Sequence, residues 1–261
     1  MVFCASEDNT VASVRDIVQQ RKAVVFDLFH TLTAIESSWG DGLPFTCEML
    51  GVSREAWNEQ LQLHSRARLV GEKQDPVQVV TEMARAIDPA IADGTIRAAV
   101  ANRIRRFGAA LLDIPDETMA TLQALKSEGK KLGLISNADV MEVEAWDRSP
   151  LARMFDAAVF SCCVGTAKPE RRIYEICLRR LGVAAGEAVF VGDGGSSELQ
   201  GARAVGMVPV MIAGIIRELR PDRIEARAVH ADFVIEHLAE LLPDDGRMQG
   251  DRAGTTDRPA G

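Results

Sequence analysis

The stretch 24–33, Val-Val-Phe-Asp-Leu-Phe-His-Thr-Leu-Thr (VVFDLFHTLT), decides the reading of this chain. An apolar run that ends abruptly on a carboxylate reads as a buried strand with Asp27 at its carboxyl end. Similar short runs recur at 131–135, 157–160, 188–191, 207–212 and 232–235. Between the later ones, 116–127, 170–181 and 198–205 carry apolar residues at helical spacing. Strand and helix therefore alternate, which predicts βαβ units around a mostly parallel sheet covered on both faces, an α/β fold.

The first two runs lie about a hundred residues apart, although a crossover needs only a dozen or more. The intervening stretch has helical patterns at 53–70, 76–87 and 94–107 and little that resembles a strand. We therefore expect an α/β core over 1–33 and 113–243, a helical insert over 34–112 that acts as a lid, and a disordered tail over 244–261, which lacks apolar periodicity.

With 38 acidic against 30 basic side chains, the net charge of −8 disfavours a nucleic-acid partner. The five cysteines are too few and irregular for a disulfide scaffold. Glu7 and Asp8 interrupt the place of a signal peptide's apolar run, and no stretch approaches the roughly 20 apolar residues of a membrane span. A cytoplasmic protein with no membrane partner is expected; its oligomeric state is left open.

In open α/β sheets ligands bind beyond the carboxyl ends of the strands, so the residues just after each run matter most. They are Asp27, then Ser136 with Asn137, then Lys168 in the loop after the third run, then Asp193. A nucleophile, a hydroxyl with an amide, a cation and a second carboxylate are nearly all that phosphoryl transfer requires. Two neighbouring carboxylates would repel one another, and a hard cation such as Mg2+ removes that repulsion.

These residues resemble, in order and type, the four motifs of the haloacid-dehalogenase-like hydrolase superfamily, over about residues 21–240. FDLFHTLT resembles the first motif, LISN the second, AKPE the third and VGDGGSSELQGARAVGM the fourth. The resemblance implies a Rossmann-like core with a helical cap between motifs one and two. It implies Asp27 as covalent nucleophile on a small phosphorylated metabolite and Lys168 as the neutralising cation. Thr31, Ser136 and Asn137 would bind the phosphoryl group. Mg2+ would be held by Asp27, the backbone carbonyl of Phe29 and Asp193, with Glu198 acting through water.

Phe29 departs from the pattern, since phosphatases of this family usually carry an acid there. A phenyl ring cannot supply proton transfer, which is worth roughly 10²- to 10⁴-fold. A haloacid dehalogenase, a phosphonate hydrolase and a weakly catalytic phospho-ligand binder are the alternatives. The first needs no metal and tends to lose the motif-four acid, whereas Asp193 and Glu198 are both present. The second needs a lysine in the insert, where Lys73 stands alone and reads as a solvated surface residue.

His30 suits proton transfer at neutral pH. Alternation in an extended segment would nonetheless place it with Leu28, opposite Asp27 and Phe29. His64, Arg66 and Arg68 are expected on a solvated helix face. Cys162 and Cys163 are expected as small core fillers, and Trp39, Trp57 and Trp146 as packing residues. The glycine-rich GDGGSSELQG lacks the third glycine of the dinucleotide fingerprint, so a dinucleotide cofactor is not expected.

Overall fold

The computed structural model describes residues 12–35 and 43–243. Cys4, Trp39 and the tail 244–261 lie outside the described residues. In chain order the elements begin with α1 (Val14–Gln20) and β1 (Ala23–Phe26). Six helices follow: α2 (Thr46–Leu50), α3 (Arg54–Leu63), α4 (Ser65–Leu69), α5 (Pro76–Ile87), α6 (Asp93–Leu112) and α7 (Asp116–Ser127). Then come β2 (Lys131–Ser136), β3 (Ala157–Phe160), α8 (Ser161–Val164), α9 (Arg171–Leu181), β4 (Ala188–Gly192) and α10 (Glu198–Val205). The fold closes with β5 (Val208–Ile212), α11 (Gly214–Leu219), α12 (Ile224–Ala228) and β6 (Phe233–Ile235).

All six strands pair in parallel in the order β3-β2-β1-β4-β5-β6. Each of the six expected strands is present, with ends displaced by no more than a residue, because short runs buried on both faces leave the chain few registers. Side chains alternate between faces. Val24, Phe26, Leu132, Leu134, Val189 and Val191 join the apolar cluster on one side. Ala23, Val25, Ile135 and Phe190 join the cluster on the other. A Cβ at Gly133 would sit 2.8 Å from the Cys177 sulfur and 2.9 Å from Leu181 Cδ1, so glycine there lets α9 pack close to the sheet.

The order reverses at β1, whose neighbours are β2 and β4. That switch point opens a crevice at the carboxyl ends of β1 and β4, where Asp27 and Asp193 emerge.

The inserted helices have an apolar cluster of their own, built on Trp57, Val80, Met83, Ile96 and Ala99. The sequence dictates where one of them starts: the Asp75 side chain accepts from Val77 N and Gln78 N, with Pro76 at the first helical position. The stretch 53–70 is expected as one helix but is two, because His64 takes φ −94°, ψ 3° between α3 and α4. Among the described residues no helix is long and apolar enough to cross a membrane.

Candidate active site

β1 stops at Phe26, and Asp27 is anchored by its own backbone N–H, which donates to Val191 O on β4 at 2.9 Å. The next residues form a tight loop. Leu32 N donates to Leu28 O, Phe29 and Thr33 are bridge partners, and His30 has φ 66°. A histidine in the left-handed region is uncommon, and here it closes the turn through its N–H to Thr33 O at 2.7 Å. The loop is stitched to α6 of the insert and to α7 of the core. Thr33 Oγ1 donates to Ala110 O at 2.8 Å, and Thr118 Oγ1 donates to Leu32 O at 2.9 Å.

This turn corrects the expectation for His30. Strand alternation does not extend past Phe26, so Leu28 is fully buried while half-buried His30 places Nδ1 4.0 Å from Asp193 Oδ2. Phe29 faces elsewhere, packing edge-on against Phe107 of α6 with centroids 5.3 Å apart.

Asp27 is buried and shared by two donors. Lys168 Nζ donates to Oδ1, and Thr31 Oγ1 donates to Oδ2 at 3.2 Å. The same ammonium reaches Glu198 Oε2 at 2.5 Å. The second oxygen of Glu198 accepts from Gly194 N at 2.9 Å. Both Glu198 oxygens are therefore engaged, and the side chain acts directly on Lys168. A Cβ at Gly192 would overlap the Glu198 carboxylate, so the end of β4 requires glycine.

Ser196 and Ser197 both take φ 52°, which lets α10 begin at Glu198 with its carboxyl turned back toward Gly194. Asp193 Oδ1 accepts from Gly195 N at 2.7 Å, and Oδ2 accepts from Arg227 Nη1 at 2.7 Å. Arg227 also donates to Asp193 O at 3.0 Å.

Asn137 is spent on positioning. Its Oδ1 accepts from Lys168 N at 2.7 Å and its Nδ2 donates to Lys168 O at 2.9 Å, so its side-chain amide holds the lysine loop in place. Ser136, at the carboxyl end of β2, is buried.

One oxygen each of Asp27, Asp193 and Glu198 lie within 4.8 Å of one another. Burial pushes Asp27 and Glu198 above the usual carboxylate range, with neighbouring carboxylates adding to the effect and Lys168 opposing it. Lys168 is pulled both ways. Burial presses its ammonium down, but the charges of Asp27 and Glu198 outweigh it and hold the group above its ordinary value.

A family model for haloacid dehalogenase-like hydrolases matches residues 21–206. The chain belongs to that family. It is 33% identical over 138 residues to glyceraldehyde 3-phosphate phosphatase of Methanothermobacter thermautotrophicus, covering 51% of this chain and 60% of that relative. Among solved structures, a phosphatase of this family from Thermococcus onnurineus shares 26% identity, with TM-score 0.55 over 84% of this chain and 95% of its own. The L-2-haloacid dehalogenase of Xanthobacter autotrophicus with chloropropionic acid covalently bound matches at TM-score 0.57 and 22% identity, over 85% of this chain and 96% of its own. That last likeness is one of fold. Phosphatase and dehalogenase share the same frame, and side chains must decide the chemistry.

Two arginines carry no motif. Arg227, 34 residues beyond its partner Asp193, has nothing local to mark it. Arg68 was expected on a solvated face but is buried. It donates to Asp139, whose loop follows β2, and Arg103 of α6 donates to Glu142 in the same loop. Arg66 is exposed and bonded to Glu170. Lys73 is half-buried and bonded to Glu82. Cys162 is buried, and burial raises its thiol to about 12, but Cys163 is exposed and so is not a core filler. Trp57 is buried, and Trp146 packs on Phe160 at 5.0 Å between centroids.

Proposed function

We propose that this chain is a Mg2+-dependent hydrolase of small phosphorylated metabolites that works through an aspartyl-phosphate on Asp27. The observation that carries this reading is the convergence of Asp27, Asp193 and Glu198, with Lys168 bound to the first and the last of them. Three buried carboxylates exceed the charge of one lysine, and Arg227 reaches only Asp193. An excess of hard oxygen donors suits Mg2+.

Asp27, the backbone carbonyl of Phe29 and Asp193 would hold the ion, whose charge would draw electron density from the phosphoryl oxygens. Lys168, steadied by Glu198, supplies the second positive charge, and the Ser136 and Thr31 hydroxyls take phosphoryl oxygens. An Asp27 oxygen forms a bond to phosphorus as the ester P–O bond breaks. Water then attacks phosphorus, releasing phosphate and restoring the carboxylate. Phe29 supplies no proton to the leaving alkoxide. His30, beside Asp193, brings an imidazole whose ordinary pKa suits that transfer. The inserted helices act as a cap over this end of the sheet.

Hydrolysis of an aryl phosphate should require Mg2+, stop with EDTA, and fall by a factor of about 10⁴ or more in Asp27→Asn. Metal-independent turnover, or turnover retained in the variant, would overturn the reading. Phe29 favours a second reading, a dehalogenase, for which metal-free halide release from 2-haloacids is the signature. The retained pair Asp193 and Glu198 weighs against it. A phosphonate hydrolase is disfavoured because Lys73 is tied to Glu82.

A further inference from the structure

We propose that the substrate carries a second anionic group, a carboxylate or a second phosphate, that docks in an arginine-lined cleft between the inserted helices and the core. The proposal rests on the phosphohydrolase reading and narrows it.

Two cavities carry the argument. One, of about 310 Å3, starts at His30 and Asp193 and runs along α11 and α12, lined by Arg220, Arg223 and Arg227. The other, of about 350 Å3, lies against α2, α3 and α6 and is lined by Arg54, Arg103 and Arg106. Both include Leu219 and Arg220, so the path from the reaction centre continues into the second cavity. Each has the volume of a small-metabolite site.

Not all of these cations are available. Arg227 is engaged by Asp193, Arg103 by Glu142, and Arg223 lies 3.2 Å from Asp222. Arg54 and Arg220 have no carboxylate partner among the described residues, and the described lining of the second cavity contains no acidic residue. In a chain of net charge −8 such a concentration of cations runs against the composition.

The guanidinium groups are also held in place. Arg54 and the buried Arg106 stack on the Phe45 ring, at 4.1 Å and 4.6 Å from its centroid. Thr46 lines the same cavity, and its buried hydroxyl has no hydrogen-bond partner among the described residues. Planar guanidinium donors match carboxylate and phosphate oxygens, which selects an anionic group over an uncharged one of equal size.

The test pairs probes that differ in the second group alone. 3-Phosphoglycerate against glyceraldehyde 3-phosphate reads a carboxylate, and fructose 1,6-bisphosphate against fructose 6-phosphate reads a second phosphate. With Mg2+, kcat/KM should favour at least one probe with two anionic groups by about tenfold or more. Arg54→Gln with Arg220→Gln, both at exposed positions, should bring that ratio toward one, while Arg85→Gln, remote from the cleft, should keep it.

Equal or better turnover of both partners that lack the second anionic group would overturn the inference and leave the phosphohydrolase reading intact. Calorimetry on the full chain carrying Asp27→Asn reads the same selectivity as Kd ratios, without turnover. Selective binding there would support the cleft even if no phosphate ester is hydrolysed, and unselective binding would overturn it.

Discussion

Two buried charge clusters in this protein are built on opposite principles. At the proposed reaction centre three carboxylates cluster, two of them bound to Lys168, with Arg227 reaching Asp193 alone. At the junction with the inserted helices, Arg68 and Arg103 meet Asp139 and Glu142, two against two. The second cluster is neutral overall, and its loop bonds are filled, with Asp139 Oδ1 accepting from Met141 N and Glu142 N. Burying charge is costly unless it is paired, so the balanced cluster reads as architecture, and the unbalanced one is where the proposed function puts a cation and an anionic ligand. The two are joined physically: Phe29 packs on Phe107, and the Arg103 guanidinium lies 4.7 Å from the centroid of that ring.

The largest effect should come from the unbalanced side. Lys168→Met leaves Asp27 and Glu198 without their shared cation, and steady-state assays should show turnover reduced by a factor of about 10³. Retained turnover would mean that Lys168 serves folding alone. On the balanced side the effect should fall on stability. Arg68→Met strands part of the charge of Asp139 and Glu142, and denaturant unfolding should show a loss of about 3 kcal/mol, with the chemical step of the surviving enzyme little changed. Should Arg68→Met abolish turnover without loss of stability, the contrast between the clusters fails.

A smaller effect concerns pH. Asp27 and Glu198 sit above the usual carboxylate range in the folded chain, so they hold protons more tightly there than when unfolded. The stability from that difference is complete below the ordinary carboxylate values and is lost as pH rises through the raised ones. A bound cation offsets that loss, and protons compete with it. MgCl2 should therefore raise Tm by a few degrees, more at pH 8 than at pH 6, and not in Asp193→Asn. An equal shift at both pH values would show that these carboxylates do not titrate with the metal.

Much of this was legible in the chain. Six apolar runs specified six strands, and Asp27, Ser136 and Asp193 at strand ends, with Lys168 in the loop after the third strand, were the candidate site residues, because a parallel sheet delivers those positions to one edge. Asp27, Lys168 and Asp193 needed no coordinates to be found together. The shape of the loop after Phe26 was not legible. Strand periodicity says nothing once the backbone turns, and His30 moved to Asp193 through a single positive φ. Asn137 shows the same limit at the level of role, since an amide beside a hydroxyl reads as a ligand donor until its two bonds to Lys168 are seen.

The sequence by itself determined the α/β order, the long helical stretch between the first two strands and the candidate residues at the sheet's carboxyl edge, because those depend on local periodicity and on the one-sided chemistry of a parallel sheet. Only the tertiary structure decided which charges are paired. Arg68 and Asp139 are 71 positions apart, and Asp193 and Arg227 are 34 apart. Whether an arginine is solvated, structural or open to a ligand depends on distances that no spacing in the chain encodes.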